Sequence, residues 1–554
     1  MEKVYFKTFG CRSNLYDTQV MIHSLLRDSK DFVREDLRDS KDLDSIKNME
    51  SSLQDSKDFG LEKVGDSKDS KLGNLELSNV KSKKDSKIGN IEFFSKKVIE
   101  STLLDSKNLD SIKNMESSLQ DSKDFGLENS CFEKSQDSNK KKYLVVESES
   151  EASIIVINSC TVTNKADREV RSYARKCTKE GKRVIFTGCG VKHLGKNLFK
   201  QNAVYSVFSH SHKEDLRAIL DSKNRVNLVK EKNKNHVDSS IFPQIVGRVR
   251  AFIKIQEGCN FKCSYCVIPS VRGAARSFSE RQILKQVEIL AQNGVSEVIL
   301  TGTNIGSYGL DTGSHIADLL LQIDEIKGIK RIRLGSLEPS QIDARFLGVL
   351  GELRSLEKHL HIAIQHTHPT MLKIMNRKNT FERDLELFCE LSSRGMTLGT
   401  DFIVGHNGES ESIFESALQN LQKLPLTHIH PFIYSPRLGT ASAKNAEGLE
   451  IVRGDVAKKR LRLVQNMIEQ KNLDFRMRNK DKILKVLIDG EKNYENNNVI
   501  ESYITGLDEY FNRILVPLQS KFLDSIESVK KGSWIEVSQY DVKDYNIANN
   551  FRIL

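Results

Sequence analysis

Cys259-Asn260-Phe261-Lys262-Cys263-Ser264-Tyr265-Cys266 sets three thiols in a C-x3-C-x2-C array just after the apolar run Ala251–Ile255. Three thiolates at this spacing can hold three irons of a four-iron cubane and leave the fourth open. An open iron is a site for chemistry and not only for electron storage. A structural zinc would need a fourth ligand. None is near: no histidine lies between His236 and His315, and the next cysteine is Cys389. The odd count of nine cysteines and the lack of a signal-like leader argue against a disulfide framework. They favour a reducing, cytoplasmic setting.

From just before the array onward, strands are expected at Ala251–Ile255, Val298–Thr301, Arg331–Leu334, His361–Gln365, Leu398–Val404 and Ile429–Tyr434, with helical patterns between most of them, such as Glu280–Gln292 and Phe381–Ser393. Six βα units predict a partial (β/α)6 barrel. The cysteine loop follows its first strand. Thr301-Gly302 ends the second, Gln365 ends the fourth and Asp401 lies in the fifth, all toward the end where barrel enzymes place chemistry. A helix from about Asp455 to Arg478 carries Lys458, Lys459, Arg460 and Arg462 and reads as a solvated cover. From Ile483 the pattern is all-β, with strands expected at Ile483–Asp489, Val499–Tyr503, Arg513–Val516 and Trp534–Val537. A small C-terminal β-barrel of this kind often binds RNA, although a plain β appendage fits equally.

Upstream, Cys11, Cys160 and Cys189 each close an apolar run, in Thr8-Phe9-Gly10-Cys11, Ile157-Asn158-Ser159-Cys160 and Phe186-Thr187-Gly188-Cys189. Val4–Phe9 reads as a strand and Leu15–Leu26 as a helix. Residues 28–142 then turn to Asp, Ser and Lys, and residues 43–62 recur unchanged at 109–128. So few apolar residues cannot offset the entropy of ordering, so this segment is expected to be a low-complexity, disordered insertion. Order resumes at Tyr143–Val146, followed by a strand at Ile154–Ile157, a basic helix from Asp167 to about Lys179, and a strand at Val184–Phe186. This is an α/β domain with its cysteines in loops after strands, where open parallel sheets bind ligands. Three domains are expected: 1–240, 245–478 and 479–554. Cys131, Cys177 and Cys389 read as plain thiols.

At 554 residues and 38% apolar composition the chain can bury several cores. A formal charge of +10 favours a polyanionic partner such as RNA. No apolar stretch is long enough to span a membrane.

The cysteine array resembles that of radical S-adenosylmethionine (SAM) enzymes, with Tyr265 in the aromatic place before the last cysteine. The two triads together resemble the methylthiotransferases, which join a three-cysteine domain, a radical-SAM barrel and a C-terminal TRAM domain. Gly10-Cys11-Arg12-Ser13-Asn14 and Asn158-Ser159-Cys160-Thr161-Val162-Thr163-Asn164 resemble the MtaB-type branch, which acts on N6-threonylcarbamoyladenosine in tRNA. The isopentenyladenosine branch usually has Gln-Met-Asn after its first cysteine, and the branch acting on a ribosomal-protein aspartate has Pro-Lys-Asn. Ile268-Pro269, Arg272-Gly273, Arg276-Ser277 and Leu300–Gly309 also follow the family. The chain departs at His366-Thr367-His368, where Ser-Gly-Ser is usual, and at His406-Asn407, where Phe-Pro is usual. The two histidines near the barrel mouth read as polar lining or as a metal pair.

The resemblance implies two [4Fe-4S] clusters, one on Cys259, Cys263 and Cys266 with SAM on its open iron, the other on Cys11, Cys160 and Cys189. It implies no catalytic side chain beyond these six ligands. Gln365 and Asp401 are candidate SAM or substrate contacts, or barrel packing. Arg272 and Arg276 are candidate partners for the substrate's carboxylate, with phosphate or SAM contacts equally open to them. The implied partners are the tRNA anticodon loop and an electron donor of flavodoxin or ferredoxin type, and the protein is expected to be a monomer; no sulfur donor is implied. A non-enzymatic iron–sulfur RNA-binding protein is the alternative of a different class, separated by whether SAM is cleaved.

Overall fold

The computed structural model describes residues 1–26, 143–230, 237–238, 241, 249–445, 447–496, 499–518 and 528–554. The low-complexity segment 28–142 and its Cys131 lie outside the described residues.

The N-terminal sheet contains β1 (Glu2–Thr8), β2 (Tyr143–Val145), β3 (Ile154–Ser159), β4 (Arg183–Gly188), β5 (Ser206–Phe208) and β6 (Asn227–Leu228). They run in the order β2-β1-β3-β4-β5-β6, every neighbouring pair parallel. Helices α1 (Arg12–Leu26) and α2 (Asn164–Lys179) follow β1 and β3. Ile154–Ser159 is buried along its whole length, as a central parallel strand covered on both faces should be. Cys177, on α2, is buried, and Cys389 is exposed on a helix of the next region. β5 and β6 are too short to read from pattern.

The middle region alternates strands and helices: β7 (Arg250–Glu257), β8 (Arg276–Ser277), α3 (Glu280–Gln292), β9 (Glu297–Gly302), α4 (Ile316–Asp324), β10 (Arg331–Leu334), β11 (His359–His361), α5 (Phe381–Ser393), β12 (Thr397–Val404), α6 (Glu411–Lys423), β13 (Leu426–Ile433) and α7 (Gly454–Arg478). One sheet runs β10-β9-β7-β8 and a second β11-β12-β13. Single bridges, Ile332 to Leu356 and Leu337 to Ile362, join them between β10 and β11. Except for the antiparallel β8, all pair in parallel. The fourth strand ends at His361, earlier than expected. Beyond it Gln365 takes φ +67° and rejoins β12 through one bridge to Phe402.

Alternation along these strands separates two faces. Ile253, Ile255, Val298, Leu300, Ile332, Leu334, Phe402 and Val404 enter the core under the helices. The other face is polar and carries Lys254, Glu297, Arg331, Arg333, Asp401 and His430. On β7 and β9 this inner face is covered by α1 of the N-terminal region. On β12 and β13 it is open.

C-terminal strands β14 (Leu484–Asn496), β15 (Val499–Leu507), β16 (Arg513–Pro517), β17 (Trp534–Val542) and β18 (Asn546–Ile553) form a closed barrel in the order β14-β15-β16-β18-β17. All pairs are antiparallel except β16–β18. β18 went unexpected, because Asn549, Asn550 and Asn546 interrupt its apolar alternation. This barrel seals one end of the polar inner face. Arg333 is bonded to Glu297, Glu357 and the Asp508 carbonyl, and Arg331 to Glu297 and the Leu507 carbonyl. Arg250 bridges Glu297 and Asp489. Among the described residues no helix is long and apolar enough to cross a membrane.

Candidate active site

The three N-terminal cysteines follow β1, β3 and β4, and two asparagines tie their loops together. Asn14 Nδ2 donates to the Phe9 carbonyl at 2.7 Å and the Ser159 carbonyl at 3.0 Å. Asn158 Nδ2 donates to the Asn14 carbonyl at 2.7 Å. The Cys189 amide closes on the Ser159 carbonyl at 2.8 Å. Gly10, at φ +96°, makes this approach possible: a Cβ there would lie 2.5 Å from Cys160 Cβ and 2.7 Å from its Sγ.

The C-x3-C-x2-C loop is held from the opposite side of its sheet. Ser264 donates from its amide to Met375 and from its hydroxyl to Ile374, and Ser442 bonds both its carbonyl and its hydroxyl. Tyr265 packs against the cluster of Met371, Met375 and Ile403. Arg377 reaches Cys263 Sγ at 3.8 Å, and Asn304 reaches Cys259 Sγ at 4.0 Å.

Burial pushes the Cys160 and Cys266 thiols up to about 12 and the Cys189 thiol up to about 11, so each sheds a proton on binding a metal. A tetrahedral ion with thiolates at about 2.3 Å would draw sulfurs to within about 4 Å of one another. Soft thiolate donors of this kind suit iron–sulfur chemistry.

The triads are joined. Arg272, six residues past Cys266, is buried and points back at the N-terminal set. Its Nε donates to Cys189 Sγ at 3.3 Å, and its Nη2 to Asn14 Oδ1 at 2.6 Å and Asp17 at 3.0 Å; its Nη1 pairs with Glu257. Lys254 and Lys213 also bond Asp17. Burial alone would raise the Asp17 carboxyl, but Lys213, Lys254 and Arg272 hold it well below the usual carboxylate range. A second link runs through the loop after β9. Ser13 Oγ donates to the Gly302 carbonyl at 3.3 Å, and the Gly258 amide to Thr303 Oγ1 at 3.2 Å. Arg437 adds a third, bonding Asn164, Thr161 and Asp167.

Residues 253–421 match the Radical SAM superfamily model, and residues 133–209 match the uncharacterized protein family UPF0004. A Helicobacter pylori J99 protein named, provisionally, as a methylthiotransferase is 46% identical over 76% of this chain and 96% of its own length. The threonylcarbamoyladenosine tRNA methylthiotransferase MtaB of Aquifex aeolicus is 33% identical over 67% of this chain and 92% of its own. The chain belongs to the radical-SAM methylthiotransferase family. The tRNA-2-methylthio-N(6)-dimethylallyladenosine synthase of Desulfitobacterium hafniense is more distant, 28% identical over 71% of this chain and 89% of its own. As a methylthiotransferase the chain is an enzyme with a radical-SAM [4Fe-4S] and SAM site.

Several sequence expectations are corrected. Arg272 is no partner for a substrate carboxylate, since two buried protein carboxylates already hold it. Arg276 bonds the Arg272 and Ala274 carbonyls. Of the two readings of His366 and His368, the contacts support polar lining. His366 is buried against Glu409 at 3.1 Å, and His368 caps the turn at Thr370. His406 is likewise structural, bonded to Ser442. Asp401 lies on the open inner face between His361, at 3.2 Å, and His430, at 3.6 Å. Burial would raise its carboxyl, but the two histidines hold it well below its ordinary value. Phe432, two residues beyond His430 and 44% exposed, pairs across the sheet with Ile403, a member of the apolar cluster on which Tyr265 packs. His430 and Phe432 were not singled out from the sequence. Their only signal was the alternation of Thr427 to Phe432.

Proposed function

We propose that this methylthiotransferase acts on tRNA and puts a methylthio group on carbon 2 of N6-threonylcarbamoyladenosine beside the anticodon. The observation that carries this reading is the joining of the two cysteine triads through Arg272 and the Gly302–Asn304 loop. Two sulfur-ligated sites that share buried side chains can act on one substrate atom. In this reading Cys259, Cys263 and Cys266 hold the radical cluster, and Cys11, Cys160 and Cys189 a second [4Fe-4S] cluster, across units 1–240 and 245–478. When bound, these groups and SAM supply the adenosyl radical, the methyl group and the sulfur.

The chain's own residues supply position and dryness. The open inner face of β12 and β13 receives the base. Phe432 offers a ring to stack on, and His430, oriented by Asp401, offers a ring nitrogen for the base edge. The Arg333–Glu297 network and the C-terminal barrel, read here as TRAM-like, close the far end against water. Exposed Arg168, Arg175, Lys176 and Lys179 on α2 attract phosphates without reading sequence. The Gly10–Asn14 motif and the identity to the Aquifex relative favour the threonylcarbamoyl branch.

Nucleoside mass spectrometry of tRNA from cells with and without the protein tests the assignment. Deletion should abolish the 2-methylthio form and leave N6-threonylcarbamoyladenosine to accumulate. Loss of methylthio groups from isopentenyladenosine instead would move the chain to the other tRNA branch.

A further inference from the structure

Across β11, β12 and β13 the inner face gathers four histidines around one carboxylate. His361 pairs with Gly399, which pairs on its other side with His428, and Asp401 pairs with His430. Gly399 has no left-handed backbone to account for it. Its lack of a side chain serves the rings instead. A Cβ there would lie 3.0 Å from the His359 ring and 3.1 Å from His361 Nδ1, so an alanine would crowd both. The space lets His361 lean across β12 to Asp401, with its Nε2 3.2 Å from Oδ1. His430 Nδ1 approaches the same oxygen from β13 at 3.6 Å, and the two rings stack with centroids 5.0 Å apart. His359 and His428 are committed elsewhere, His359 to Thr397 and a stack on Phe511, His428 to Thr427.

Among the described residues, three groups of histidine, cysteine and carboxylate side chains bring ligand atoms within 4.8 Å of one another. Two of them already contain a cation of the protein's own. Asp17, Asp238 and Glu257 hold Lys213 and Lys254, and Glu149 and Glu180, beside Cys177, hold Lys176. The third is His361, Asp401 and His430. No lysine or arginine among the described residues reaches this carboxylate. Ligand atoms about 2.1 Å from one ion lie roughly 3.0–3.4 Å apart at octahedral and tetrahedral angles. His361 and Asp401 already meet that spacing. His430, with its side chain 53% exposed, needs only a small turn to meet it.

We propose that His361 Nε2, the Asp401 carboxylate and His430 Nδ1 bind a divalent first-row metal ion of the class that favours imidazole, such as Zn²⁺ or Fe²⁺. Two imidazoles and one carboxylate fill three positions. The remaining positions are left to water or to an oxygen atom of a bound molecule. This ion is separate from the cysteine sites and does not depend on which nucleoside the enzyme takes. Because His430 coordinates through Nδ1, its Nε2 is left for a base edge.

The test uses the anaerobically reconstituted full chain, freed of loose iron on a chelating resin. Mn²⁺ is the probe, because binding removes the room-temperature electron paramagnetic resonance signal of the free ion, and because it prefers oxygen and nitrogen ligands to thiolate. Wild type should take up about one Mn²⁺ per chain, and Zn²⁺, which binds such ligands more tightly, should release it. Asp401→Asn and His430→Ala should each weaken Mn²⁺ binding at least about tenfold, since loss of an outer-shell partner alone costs that much. Gly399→Ala removes no ligand and should still weaken it, by displacing His361. Glu180→Gln, in a group that already holds a lysine, should bind Mn²⁺ as wild type does. Iron content equal to wild type shows that a variant is folded. His430 is exposed, so its variant tests the site even if Asp401→Asn disturbs the fold. Wild type that leaves Mn²⁺ free at millimolar concentration overturns the proposal, and that arm needs no variant. Undiminished binding by the His430→Ala protein also overturns it, because the ion would then sit elsewhere on the chain.

Discussion

Removing the Arg272 guanidinium would strand Asp17, Glu257 and Asn14 in a dry interface. Arg272→Met should therefore destabilise the protein by about 3–5 kcal/mol, the usual cost of leaving one side of a buried ion pair unmatched. Urea unfolding of the apoprotein would measure it, and Arg272→Lys should recover part of the loss. The acid limb of stability should move too. Asp17 and Glu257 are held well below ordinary carboxylates, Glu257 chiefly by Lys254 and Arg272 against its burial. A depressed carboxyl adds stability above its unfolded pKa and loses it as pH falls through the folded value. Wild type should thus hold below about pH 4, and Arg272→Met should lose that reserve at higher pH. An unfolding midpoint equal to wild type across this range would rule out the clamp.

At the scale of elements, the two triads are delivered by different strands, one by the ends of β1, β3 and β4 and the other by the loop after β7, so each should fail alone. Reconstituted wild type should hold about eight irons, two cubanes of four. Replacing Cys259, Cys263 and Cys266 with Ala should leave about four and end SAM cleavage. Replacing Cys11, Cys160 and Cys189 should leave about four and keep SAM cleavage without methylthiolation. Full iron in either variant would overturn the ligand assignment. These strand ends were legible because apolar runs, glycines and cysteines fall within a few residues of one another. The inner face was legible only in outline. Asp401 and Gln365 could be marked by their place on strands, but Gln365's left-handed backbone could not. Apart from Glu257, the side-chain partners of Arg272 lie in another region of the chain, so the sequence presented it as an uncommitted cation. The short β5 and β6 and the Asn-rich β18 form from pairing with neighbours rather than from their own pattern.

For the whole molecule, the two ends of the low-complexity segment converge. Leu25, near the end of α1, and Tyr143, at the start of β2, are buried in one apolar cluster. Residues 28–142 should therefore be replaceable by a short Gly/Ser linker. Iron content and methylthiolation by the shortened chain should match wild type, and early proteolytic cuts should vanish. Loss of half the iron on deletion would show that the segment helps to build the N-terminal site.

The strand order β2-β1-β3 also sets a schedule for synthesis. β1 leaves the ribosome first, yet it is a central strand whose two neighbours begin at Tyr143 and Ile154. At about 5–20 residues per second, roughly ten seconds or more separate its emergence from theirs. During that interval Cys11 is a nascent thiol without its partners, and an apolar strand waits with both edges open. If the three N-terminal cysteines hold a cluster, as proposed, it can be assembled only after Cys189 has emerged, and a chaperone that shields residues 1–26 would act before any cluster-assembly factor could.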